Sequence, residues 1–206
     1  MRIKPLKKYL EKTPLLILMD ERCDKLDDKI IRVTFSVVEI LDGPETNTLK
    51  TELQPIKENL NKNQKFHFAD IDDPMREKIL TIIAEQGIRC KMYIFYALDC
   101  SELNAKVTAL IWAIENTKKS LSKRYTLNFL IENANEYKSI IRESNLIDDT
   151  LLTIIPDAFC HVFARRLNRV DCLKQYNIIS DKIRLESYLV KNCCTRKMRA
   201  DKLEKI

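Results

Sequence analysis

Gly43 and Gly87 are the only glycines in a chain of 206 residues. Glycine opens left-handed turns and lets backbone approach a phosphate closely. So few of them excludes a glycine-rich phosphate loop and a dinucleotide-binding fingerprint. It also disfavours an all-β architecture, which needs many tight turns. The length suits one domain with a terminal extension, and a hydrophobic share of 45% is enough to bury a core.

Hydrophobic periodicity then orders the elements. Residues 15–19 form a short apolar run closing on Asp20, as a buried strand does. Over 30–41, Val33, Phe35 and Val37 alternate with Arg32, Thr34 and Ser36, which predicts a second strand joined to the first by the polar turn 23–29. Pro44 opens a helix reaching about residue 61, with Pro55 marking a kink or a second start. Asp72, Asp73 and Pro74 begin another helix, which Gly87 ends. A strand follows over 89–98, with Met92, Ile94 and Tyr96 on one face. Ser101 caps a long helix carrying Leu103, Val107, Leu110, Ile111 and Ile114. The chain continues as a strand over 127–131 closing on Glu132, a short helix over 137–141, a strand over 151–155 and a helix over 157–167. The rest reads as helix. This alternation argues for an α/β fold with a mixed sheet flanked by helices, because the first two strands form a hairpin. We assign residues 1–170 to that domain and 171–206 to a basic helical C-terminal extension packed on it.

No run approaches the ~18 apolar residues of a membrane-spanning helix, and the apolar stretch after the basic start is too short for a signal peptide. A cytoplasmic protein without a membrane partner is expected. The seven cysteines lack zinc-site spacing and read as reduced, structural thiols. The net charge of +6 is concentrated at the ends: Arg2, Lys4, Lys7, Lys8 and Lys12 at the start, and Lys182, Arg184, Lys191, Arg196, Lys197, Arg199, Lys202 and Lys205 at the close. Basic ends around an acidic middle suit a polyanion held over a metal-binding cleft.

Three acids fall where strands end or a helix begins: Asp20, Glu132 and Asp157. In open α/β sheets, ligands gather at the carboxyl ends of the strands. Close carboxylates repel strongly unless a cation lies among them, and hard oxygen donors select Mg2+ or Mn2+. Two such ions ~3.5–4 Å apart can activate water and stabilise the leaving oxygen of a phosphodiester. Taken singly, each acid also fits a turn or cap role.

Four stretches carry a family resemblance. They are residues 16–23 ending in Asp20-Glu21-Arg22-Cys23, the apolar strand 31–38, the segment from Lys65 through His67 to Asp70, and residues 154–167 around Pro156-Asp157. In order and spacing they resemble domain-of-unknown-function family 3800, a branch of the RNase H-like superfamily. The resemblance implies an RNase H-like mixed sheet and a divalent-metal-dependent nuclease. It implies that Asp20 and Asp157 are metal ligands, with Glu132 where the family often has aspartate, and that Glu21 is an auxiliary acid. His67 and Asp70 are further candidates, His67 as a proton donor to the leaving group. His161, at i+4 from Asp157, can reach the site or simply pack beside it. The sequence departs from the family where Arg22-Cys23 replaces Ser-Gly and where a glutamine before the last acid is missing.

Two other functions stay open. One is a catalytically degenerate module that binds nucleic acid without cutting it. The other is a protein-interaction subunit or homodimer using a C-terminal helix whose apolar face carries Ile178, Ile179, Ile183, Leu185, Leu189 and Val190.

Overall fold

The computed structural model describes residues 12–60, 66–132, 137, 146–147, 151–190 and 204–205. They form an α/β fold around one mixed sheet in the order β5-β4-β1-β2-β3-β6-β7. β1 (Thr13–Lys25), β2 (Ile30–Leu41) and β3 (Cys90–Leu98) make an antiparallel meander. β4 (Tyr125–Ile131) runs parallel to the other edge of β1, and β5 (Leu146–Ile147) adds to β4. β6 (Ile183–Val190) lies parallel to β3 and carries β7 (Glu204–Lys205) on its outer side.

Strand alternation divides the core into two layers. One face of the sheet, with Leu16, Leu18, Val38 and Met92, packs under α1 (Pro44–Glu58), α2 (Asp73–Glu85) and α4 (Ile154–Leu167). The other, with Ile17, Met19, Phe35 and Phe95, packs under α3 (Glu102–Leu121). A short α5 (Leu173–Ile179) leads into β6.

The local signals act as their chemistry requires. Asp27 closes the hairpin by accepting from the Lys29 and Ile30 amides at 2.7 and 2.8 Å. Asp72 caps α2 by accepting from the Met75 amide at 2.9 Å, and Ser101 caps α3 through Asn104. Gly87, at φ +65°, ends α2 in a Schellman motif: its amide bonds the Ala84 carbonyl, and the Ile88 amide bonds that of Ile83. Asp72→Ala is expected to cost about 1 kcal/mol, read as a lower urea midpoint with an unchanged slope.

Five expectations are corrected. β1 does not stop before Asp20 but runs on to Lys25, because β2 pairs with it along its whole length. α1 does not start again at Pro55 but passes through it as one helix, since the proline falls in its last turns and removes only one backbone bond. Leu103 is exposed at the start of α3 rather than in its buried stripe. Residues 151–155 are a turn and the opening of α4, not a strand. Every residue of α4 from Ile154 to Ala164 is buried, so no polar side reveals a helical period. Residues 183–190 form strand β6, not helix, because the open edge of β3 takes them as a parallel partner. Their apolar side chains therefore belong to a sheet and not to a helix face.

Of the helix expected over 137–141, only Tyr137 is described; most of both basic ends also lies outside the described residues. Cys23, Cys90, Cys160 and Cys172 are free thiols, whereas Cys100 is disulfide-bonded, a further correction to the expectation of reduced thiols throughout. No helix among the described residues is long and apolar enough to cross a membrane.

Candidate functional site

The parallel pairing of β1 with β4 ends at Met19 opposite Ile131. One step further, both strands turn a carboxylate toward the α4 face: Asp20, in phase with Leu16 and Leu18, and Glu132, in phase with Leu130. Asp157 arrives from the first turn of α4. The Ser36 hydroxyl, opposite Asp20 on β2, ties that turn down by donating to the Pro156 carbonyl at 2.9 Å. The Cys160 thiol, one turn later, donates to the Asp20 carbonyl at 3.4 Å.

Asp157 does not cap its own helix. Its Oδ2 accepts from the Phe68 amide at 2.7 Å and lies 3.1 Å from His67 Nδ1. His67 Nε2 in turn stands 3.9 Å from Glu132. The turn that presents His67 and Phe68 is held by Arg76 of α2. This guanidinium donates to the Phe68 carbonyl at 2.9 Å and the Ala69 carbonyl at 2.6 Å, with its remaining nitrogen on Asp73. The same His67 Nδ1 also accepts from the Ala69 amide at 3.4 Å.

The electrostatics record the crowding. Burial, then the charges of Asp157 and Glu21, push the Asp20 carboxyl well above its ordinary range. Burial raises Asp157 to about 6, opposed by His67 and the Phe68 amide and helped by Glu132 and Asp70. Both shifts mark negative charge crowded together and held out of water.

The structure thus gathers Asp20, Glu132, Asp157 and His67. It places the other candidates differently. Strand alternation puts Glu21 on the opposite, α3 face, where the Tyr137 hydroxyl donates to it at 2.5 Å. Burial raises the Glu21 carboxyl there too. Asp70 is exposed in the turn after His67 and acts on Asp157 through its charge. His161 is buried beside the Phe68 ring, 5.5 Å between centroids, and makes no bond to the acids. Sequence reasoning missed Arg76, Ser36 and Tyr137. Their partners are backbone carbonyls or lie on other elements, so no local pattern points to them.

The donor set fits a hard divalent cation in kind: crowded, partly buried oxygen ligands. Asp20, Glu132 and Asp157 are the residues that would hold it. Among the described residues no three acidic, histidine or cysteine side chains already stand at ligand spacing, and the His67 ring bridges Asp157 and Glu132. Comparison with protein-family models, with curated proteins and with solved structures gave no match.

Proposed function

We propose that the chain is a divalent-metal-dependent nuclease of RNase H-like architecture that hydrolyses RNA or DNA phosphodiesters at Asp20, Glu132 and Asp157. The observation that carries this reading is the convergence of three acids from β1, the end of β4 and the start of α4 on one face, with His67 against two of them. The hairpin of β1 and β2 beside the parallel β1–β4 pair supports the fold assignment.

Bound Mg2+ or Mn2+ would supply Lewis-acid activation of water and neutralise charge on the departing oxygen. The chain's own groups do the rest. The Phe68 amide and the first turn of α4 hold Asp157 in one orientation. Arg76 fixes the turn so that His67 stays at the acids, half-exposed, where its Nε2, 3.9 Å from Glu132, would hand a proton to a leaving oxygen. Ser36 keeps α4 pressed to β1, so Asp20 and Asp157 remain close.

Calorimetric titration of Mn2+ into the wild type and into Asp20→Asn/Asp157→Asn tests the site. Binding in the wild type that vanishes in the double variant is expected. Binding that survives in the double variant places the ion elsewhere and removes these acids from the proposal.

The second reading, a degenerate RNase H-like module, rests on Arg22-Cys23 after the first acids and on donors not yet at ligand spacing. It requires nucleic-acid affinity that falls steeply with salt and ignores divalent ions.

A further inference from the structure

Two rows of polar side chains lead away from the acids along the shared face of β1 and α4. Alternation on β1 puts Arg22 and Asp24 on the same side as Asp20. On α4, spacings of four, eight and eleven residues put His161, Arg165 and Asn168 in one stripe with Asp157. The rows run side by side: Cys160 bonds the Asp20 carbonyl at one end, and Asn168 reaches Asp24 at 3.4 Å at the other. A helix this deeply buried normally turns hydrocarbon to its sheet, and along this stripe α4 does not.

The stripe is rich in positive charge and poor in partners. Asp24 serves both Arg22, at 3.5 Å, and Arg32, at 2.7 Å. Arg165 donates to the Asp171 carbonyl, which has no formal charge, and its Nε has no partner among the described residues. His161 is 9% exposed, and its Nε2 is likewise without a partner there. Burial, with Arg76, Arg22 and Arg165 on several sides, holds that imidazole neutral, down to about 4. Arg22 is 39% exposed and Arg165 half-buried, so neither side chain is sealed from an incoming anion.

We propose that this face is a track for the phosphodiester backbone of a nucleic-acid strand, with Arg22 and Arg165 gripping the phosphates beside the one held at the acids and His161 forming the floor between them. The inference rests on the nucleic-acid reading above and names the groups that hold its ligand. Guanidinium forks match phosphate oxygens two at a time. An anion lying over the stripe supplies the negative charge that Asp24 alone leaves short.

The test is fluorescence anisotropy of the full chain with short labelled single-stranded RNA and DNA oligonucleotides, in EDTA, across a salt series. Arg22→Gln and Arg165→Gln are each expected to weaken binding several-fold and to flatten the plot of log affinity against log salt by about 0.7. Lys119→Gln, on the exposed end of α3, is expected to leave that slope unchanged. Where a glutamine variant fails to melt cooperatively, the charge-retaining Arg22→Lys and Arg165→Lys carry the test, with wild-type slope and lowered affinity expected. Wild-type slope in folded glutamine variants, wild-type affinity in the lysine variants, or no binding of either probe by the wild type overturns the track. Cleavage with unaltered slopes removes the track and leaves the nuclease; flattened slopes with no cleavage under any divalent ion do the reverse.

Discussion

Asp20→Asn is expected to lower phosphodiester cleavage by at least about 10²–10³-fold, the scale on which losing one electrostatic stabiliser acts, while the chain stays folded. The amide keeps the shape of the side chain but loses its charge and one hard oxygen donor. Stability should not suffer, because Asp20 is only 9% exposed and its ionised form is opposed by burial, then by Asp157, Glu21 and Glu132. Without metal, the melting temperature is expected to be unchanged or higher than the wild type's. A gel assay on labelled oligonucleotides with Mn2+, beside a thermal melt in EDTA, reads both quantities. Cleavage that persists in the folded variant removes Asp20 from the chemistry, whereas loss of folding assigns it a structural role instead.

The second large effect is a pair of opposed pH dependences in the metal-free protein. The folded-state value of Asp157 is raised, from 3.8 to about 6. Its contribution to stability is therefore fully present below about pH 4 and is lost as pH rises through about 6, on the order of 3 kcal/mol in all. His161 is shifted the other way, from 6.5 to about 4, by burial and by Arg76, Arg22, Arg165 and His67. Its contribution is present above about pH 6.5 and is lost as pH falls through about 4. The two oppose each other across the same window, and the raised carboxyls of Asp20 and Glu21 add to the first. His161→Gln is expected to expose the first, its melting temperature falling by about 6–12 °C between pH 4 and 7. In Asp157→Asn, which lacks one of the raised carboxyls, the fall over that interval is expected to be smaller than in the wild type. A flat profile in His161→Gln would mean that Asp157 is not protonated in the folded state, and the account of crowded acids would fall with it.

Legibility in the sequence followed the range of the interaction. Asp72, Gly87 and Ser101 act within their own turns, and each does what its residue type dictates. β2 alternates on a half-polar strand, and its bounds came out at 30–41 in both sequence and structure. The three acids were legible because each ends an apolar segment, which is a local property. Segments buried on every side were not legible. Residues 151–155 open a helix with no polar face, and 183–190 take their strand form from the edge of β3. Arg76 was invisible for a related reason. It looks like an ordinary charge on the first turn of α2, and only the fold brings the Phe68 and Ala69 carbonyls to it.

The chain by itself therefore determined an α/β alternation, the caps and turns that bound its elements, and acids at the ends of apolar runs. Spacing, capping and hydrophobic period are written within a few residues of one another. Tertiary structure alone decided which carboxylates meet. The register of β1 with β4 brings Asp20 and Glu132 to the same end of the paired strands, and Ser36 holds the start of α4 beside Asp20. It also decided that Glu21, next in sequence to Asp20, faces the other layer and Tyr137. Neighbours along a strand point to opposite sides of a sheet, while residues more than a hundred positions apart can share one side of it.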